Sequence, residues 1–148
     1  MMKCAAILAV MAGPLAAQSA NPCDWQASAQ AIVEPWEDNT RVYANGKVRI
    51  AAIDTIEPAA GAAYLLVLSP PYGETGERQC RVVGASAQIG FAGLDFDKLQ
   101  AGYDAAVGLV FAVPVSILVD DAFVKQVLVV TLNQSSGVMK TSYKGIGE

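Results

Sequence analysis

Gly108-Leu109-Val110-Phe111-Ala112-Val113-Pro114-Val115-Ser116-Ile117-Leu118-Val119, followed shortly by Val124-Lys125-Gln126-Val127-Leu128-Val129-Val130-Thr131-Leu132-Asn133, is the stretch that decides the fold class. Side chains of an extended strand alternate between two faces. The first segment therefore places Leu109, Phe111, Val113, Val115, Ile117 and Val119 on one face, and the second places Val124, Leu128, Val130 and Leu132 on one face. Asp120-Asp121-Ala122-Phe123 joins them as a hairpin. Pro114 has no N–H to give to a ladder, so its strand is expected at an edge or with a bulge at that point. A membrane-spanning reading of residues 105–119 fails, because the run is shorter than a bilayer requires and carries a central proline.

Moving toward the N-terminus, residues 62–69 (Ala-Ala-Tyr-Leu-Leu-Val-Leu-Ser) form a continuous apolar run stopped by Pro70-Pro71, as in a central strand buried on both faces. Arg78-Gln79-Cys80-Arg81-Val82-Val83 alternates and reads as a strand with Cys80 and Val82 inward. Thr40–Ala44 and Lys47–Ala51 flank Asn45-Gly46, whose tolerance of positive φ suits a tight hairpin turn. Opposing Ala44 with Lys47 puts Tyr43, Val48 and Ile50 on one face, with Val42 and Arg49 on the other. The one helix expected covers residues 22–34, with Trp25, Ala29 and Ile32 near one face and Pro35 as its stop. Residues 84–93 suggest a short strand around Ile89 and Phe91, residues 95–100 one helical turn, and residues 138–143 a last strand before a loose tail. Short strands separated by turn signals imply a mainly antiparallel β sandwich or barrel of roughly seven strands with one N-terminal helix.

The first twenty residues read as a secretory signal peptide. Lys3 supplies the positive start, Cys4 to Ala12 the apolar stretch, Gly13-Pro14 the break, and Leu15-Ala16-Ala17-Gln18-Ser19-Ala20 the small residues, with cleavage near 17 or 20. Residues 21–148 then make one β-rich domain, a size that suits a single core. The hydrophobic fraction of 53% implies a packed interior. Formal charge is −4, and loss of Lys3 makes it −5; with the remaining cations scattered, nucleic acid is not expected as a partner. Removing the leader leaves Cys23 and Cys80 in an oxidising compartment, where they are expected to pair. In the loop-entropy account such a closure stabilises the fold by about 4 kcal/mol.

The sequence contains no histidine. The commonest general base at neutral pH, the Ser-His and Cys-His nucleophile pairs, and the commonest transition-metal ligand are therefore all missing. No Gly-x-Ser-x-Gly elbow occurs, and the Gly-rich residues 84–93 lack a phosphate-cradling Gly-Lys pair. No catalytic residue, metal ligand or cofactor is expected. Asp95, Asp97 and Asp104, and the pair Asp120-Asp121, are the carboxylates that a small aspartate-dependent hydrolase would use, although solvated turns account for them more simply. Pro70-Pro71-Tyr72-Gly73 could hold Tyr72 on a stiff turn as a binding contact. Trp25 and Trp36 flank the end of the expected helix, where they could cap the core or form an exposed aromatic contact, core positions being the simpler expectation.

Asp54-Thr55-Ile56-Glu57-Pro58-Ala59-Ala60-Gly61, Leu65 to Pro71, Arg78-Gln79-Cys80-Arg81-Val82 and Gly90-Phe91-Ala92-Gly93-Leu94-Asp95-Phe96 resemble small exported proteins of alphaproteobacteria that carry no assigned function. The resemblance implies a periplasmic address and adds no activity, substrate or site. The functional expectation is a non-catalytic periplasmic binding or interaction module, acting on an envelope macromolecule or a small apolar ligand. The alternatives are the aspartate hydrolase and a β-barrel carrier of an apolar ligand.

Overall fold

The computed structural model describes residues 19–146. Most of the expected signal peptide, and the last two residues of the tail, lie outside them. The described residues form β1 (Ser19–Pro22), β2 (Thr40–Tyr43), β3 (Val48–Asp54), β4 (Ala63–Tyr72), β5 (Arg78–Gly84), β6 (Gly93–Leu94), β7 (Gln100–Asp104), β8 (Gly108–Val119), β9 (Ala122–Leu132) and β10 (Met139–Lys144). Sheet A has the order β1-β5-β4-β3-β2, and sheet B the order β10-β9-β8-β6, with β7 also paired to β8. Every strand pairing is antiparallel.

The alternation in β8 and β9 sets the main core. Leu109, Phe111, Val113 and Val115 of β8, with Leu128, Val130 and Leu132 of β9, meet Val48, Ile50 and Ala52 of β3, Leu65 and Val67 of β4, and Val83 of β5. Two facing layers of apolar side chains make the molecule a sandwich. Phe111 is fully buried, and its ring lies 5.2 Å from that of Tyr43. Beyond Val115 the periodicity outruns its partners. Ile117 only borders the core, and Val119 is exposed where the β8–β9 ribbon projects past its neighbours. The ribbon closes on Asp120 and Asp121, both at positive φ, and this turn sets Val119 opposite Ala122.

Pro114 sits in a central strand, against the edge expectation. Its carbonyl accepts from the Asp95 amide at 2.9 Å. The N–H and C=O of one strand residue point to the same side, so the absent donor also faces the Asp95 side. On that side β6 pairs only with Val115 and Ser116, and β7 only with Gly108 to Ala112. The break in the partner strand removes any need for a proline N–H. A 3-10 turn, Phe96–Lys98, fills the break and inserts Phe96 into the core, with the Arg41 guanidinium 5.1 Å from its ring centre.

The β2–β3 hairpin forms in the expected register, Tyr43 opposite Val48, with Asn45 and Gly46 at positive φ. Val48 and Ile50 face the core, while Val42 and Arg49 face solvent. The expected helix over residues 22–34 is absent. Only a 3-10 turn, Ala29–Ala31, occurs there. Both ends of the segment are committed to sheet A, through β1 on one side and through Ile32 and Val33 on the other, where Ile32 bridges Ile53 and the Val33 amide donates to the Ala52 carbonyl at 3.0 Å. The stretch between is shorter than the roughly 12–15 residues at which an isolated helix becomes marginal. The described strands number ten where about seven were expected. The surplus comes from β1, β6 and β7, which are too short or too exposed on both faces to show alternation.

Phe111→Ala and Tyr143→Phe are expected to have opposite effects on the same core. Phe111→Ala should cost about 3–5 kcal/mol in chemical denaturation. Tyr143 packs against the core with its hydroxyl buried and without a hydrogen-bond partner, and burial pushes its pKa up to about 12. The neutral phenol is the form that the fold favours, so its contribution to stability is present below pH 10 and is lost as pH rises from there through about 12. Tyr143→Phe should be neutral or stabilising at pH 7, and should flatten the alkaline arm of a stability-against-pH curve.

Candidate functional site

Sheet A buries its second face as well. Ala51 and Ile53 of β3, Tyr64 and Leu66 of β4, and Val82 of β5 point away from sheet B and are covered by Cys23, Ala27, Ala31 and Ile32. The cover has little regular structure of its own, so it is fastened. Cys23 and Cys80 form a disulfide with a Cα separation of 5.4 Å, and the Cys23 amide donates to the Cys80 carbonyl at 3.2 Å. Cys80 and Val82 thus face inward as expected, toward this second core. Three residues after Cys23, Gln26 is buried with only 7% of its surface exposed, and its side chain reaches the Tyr64 hydroxyl. That hydroxyl donates to the Gln88 carbonyl at 3.3 Å. Burial raises the Tyr64 pKa above its usual 10, opposed by the hydrogen bonds from Gln26 and from the Gly90 backbone.

Fixing Cys23 and Gln26 inward leaves Trp25 pointing out, with 57% of its surface in solvent. Trp36 is also 45% exposed, so neither tryptophan is a core residue. Trp25 stands as a ridge between two grooves. One, of about 340 Å³, is lined by Asn21, Asp24, Gln26, Tyr64, Ser86 and Gln88 among others. The second, of about 370 Å³, is lined by Ser28, Gln30, Ala31, Asp54, Thr55 and Ile56. Among the described residues, no lysine or arginine lines either groove.

The walls are held by short-range bonds. On one side the Ser86 amide donates to the Ile89 carbonyl at 3.0 Å and the Gly90 amide to the Gly61 carbonyl at 2.8 Å. This loop lies so close to the sheet that a Cβ at Gly84 would stand 2.7 Å from the Ile89 carbonyl, and one at Gly90 2.5 Å from that of Ala63, which is why both positions are glycine. On the other side the Asp54 carboxylate accepts from the Ile56 amide at 2.7 Å, and the Thr55 hydroxyl donates to the Glu57 and Ala62 carbonyls. Ile56, at φ 71° and 77% exposed, is displayed by this turn.

Tyr72 lies elsewhere, half exposed at the far end of β4, beyond a register shift between Ser69 and Tyr72 that contains the two prolines. Its loop is closed by the Gly73 amide donating to the Glu77 carbonyl at 2.8 Å, and by a hydrogen bond from Thr75 to the Glu77 carboxylate. At about 3.3 Å per strand residue, Tyr72 is some 25 Å along β4 from Tyr64, and it lines neither groove.

Of the aspartates singled out by sequence, Asp97 lies exposed in the Phe96–Lys98 turn and the others have local structural roles. Asp95 pairs with Lys98 at 3.0 Å on the surface, Asp104 caps the Ala106 amide at 2.7 Å, and Asp120-Asp121 form the ribbon tip. Among the described residues no cluster of three or more metal-ligating side chains occurs, and no helix is long and apolar enough to cross a membrane. The space between the sheets is filled by the side chains of the main core.

Sequence reasoning favoured the core for Trp25 over the exposed position it takes. The available signal was its setting, Asp24, Gln26, Ser28 and Gln30 on either side of it, immediately after a tethered cysteine. No family model, no curated protein and no solved structure matches the chain.

The disulfide holds the site together and is expected to matter accordingly. Replacing Cys23 and Cys80 by serine should lower stability by about 2–5 kcal/mol in denaturant titrations. Native protein denatured without reductant should show no titratable thiol from this pair.

Proposed function

We propose that this protein is a non-catalytic binding module that acts outside the cytoplasm and engages an envelope macromolecule through the Trp25 ridge. The observation that carries the reading is an indole more than half exposed on a backbone that is fastened on both sides, by the Cys23–Cys80 bond and by the inward Gln26. A backbone already held in place loses little further conformational entropy on contact, and tryptophan is prominent among binding hot spots. The packed space between the sheets favours this reading over a carrier of an apolar ligand. The turn roles of Asp95, Asp104 and Asp120-Asp121 favour it over an aspartate hydrolase. Tyr72, at the opposite end of β4, is the alternative contact surface.

The expected measurement is co-sedimentation of the purified protein with isolated cell-wall sacculi and, separately, with outer-membrane fragments. Trp25→Ala should weaken binding to one of these by about tenfold or more, the scale of a hot-spot residue, whereas Tyr72→Ala should leave it unchanged. Equal binding by the parent protein and Trp25→Ala would remove the ridge from the proposal. Loss of binding on Tyr72→Ala alone would move the site to that loop.

Export is part of the same proposal. It is supported by the disulfide, a bond characteristic of oxidising compartments. Strand β1 bears on where the leader ends, because Ser19 and Ala20 pair with Gly84 and Val83, and Ala20 packs against the main core. Cleavage after Ala20 would strip half of β1 from the β5 edge. Cleavage after Ala17 keeps the strand whole, and N-terminal sequencing of exported protein should begin at Gln18. A mature terminus at Asn21 would contradict this.

A further inference from the structure

We infer that the two grooves beside Trp25 bind a neutral, polyhydroxylated ligand, a glycan chain laid across the indole with sugar units on either side. This names the ligand class of the site proposed above and rests on that reading.

The inference follows from what the grooves offer and what they lack. A pyranose ring has an apolar C–H face and a rim of hydroxyls, each of which both donates and accepts hydrogen bonds. The exposed Trp25 indole supplies a flat apolar surface for the first. For the second, one groove supplies the Asp24 carboxylate with Ser86 and Gln88, and the other supplies Ser28, Gln30 and the Asp54 carboxylate. Amides present donor and acceptor side by side, and carboxylates accept from neighbouring hydroxyls, so the set matches vicinal diols. Each volume falls within the roughly 300–1,000 Å³ typical of small-molecule sites. A ridge with a groove on each side accommodates a ligand that continues past the aromatic ring, as a polymer does.

Other ligand classes fit less well. An anionic ligand would meet two carboxylates and no cation, because the described lysines and arginines all lie outside both grooves. An acyl chain would leave the Asp24 carboxylate, Ser86 and Gln88 of one groove, and Ser28, Gln30 and the Asp54 carboxylate of the other, without partners beneath it. A polyamine could use Asp24, Asp54 and the indole face, but such a cation would leave the hydroxyl and amide groups between those charges unused.

The experiment uses the full mature chain with Trp36→Phe, a change at an exposed residue that lines neither groove and leaves Trp25 as the only indole. The probes are triacetylchitotriose, cellotriose and maltotriose, with spermidine as the cationic comparison. At least one trisaccharide should produce a saturable change in Trp25 emission that persists in about 0.5 M sodium chloride, where interactions between exposed charges are screened. Calorimetry of the same trisaccharide should show binding weakened about tenfold or more by Trp25→Ala and by Asp24→Ala, with melting temperatures confirming that both variants fold. If no trisaccharide binds while the parent protein still sediments with envelope fractions, the glycan assignment falls and the binding-module reading stands. Failure of both would remove both. Spermidine binding that disappears in salt, without any trisaccharide response, would replace the glycan with a cationic ligand.

Discussion

Sheet A has no polar face. Along β3 and β4, Val48, Ile50 and Ala52 with Leu65 and Val67 turn one way, and Ala51 and Ile53 with Tyr64 and Leu66 turn the other. Two covers are therefore required. Sheet B is one, and it is self-supporting because its strands are long and hydrogen-bonded to one another. The segment from Cys23 to Val33 is the other, and it has almost no internal structure to recommend it over an unfolded chain. A covalent bond at one end, backbone pairing at the other and a buried glutamine between them compensate for that. The position of Trp25 is a by-product of this fastening, since the residues around it are spent on holding the cover down.

Sheet B solves the same problem differently. Its outer face carries Val110, Ala112 and Pro114 on β8 and Val127 and Val129 on β9, all partly exposed, with Lys125, Lys140 and Lys144 beside them. Lysine stems lie over apolar surface while their charges stay in water, so this face needs no second layer. The arginines are confined to sheet A, where Arg78 donates to the Gly46 carbonyl at 2.8 Å and Arg41 stacks on Phe96. Both act at turns and edges remote from the Trp25 grooves, which consequently keep a neutral to acidic character.

The parts of the fold legible in sequence were those whose own residues carry the burial pattern, on one face or on both, and whose partners are near in the chain. Gly108 to Val119 and its return strand, the Asn45-Gly46 hairpin, and the doubly buried run around Leu65 each announced themselves through their own pattern. The cover did not. Cys23, Ala27 and Ala31 fall four residues apart, the spacing of a helix face, and nothing local distinguishes a helix from an irregular chain that happens to touch a sheet at those intervals. Trp25 failed for a related reason: an indole has the same composition in a core as on a ridge, and the difference was made by Gln26, a polar residue turned inward to meet Tyr64. Pro114 was read correctly as a residue without a donor, but the gap that tolerates it belongs to the opposing strand, out of reach of any local reading.

The order in which the strands pair has a consequence in time. Nearly all strand pairing in both sheets joins elements that are neighbours in sequence or separated by a single short strand, while β1 alone reaches back across three strands to find β5. Contacts between distant parts of a chain form late, because the closure entropy of the long loop is lost before they contribute anything. The hairpins can assemble first and leave the second face of sheet A bare, with Cys80 waiting on it. Docking of the N-terminal segment and oxidation of its cysteine then come at the end, and the same segment is the natural first to open under stress. Asn21, Asp24, Trp25, Gln26, Ser28 and Gln30 all belong to this late segment, so the grooves they line take shape only once that last step is complete.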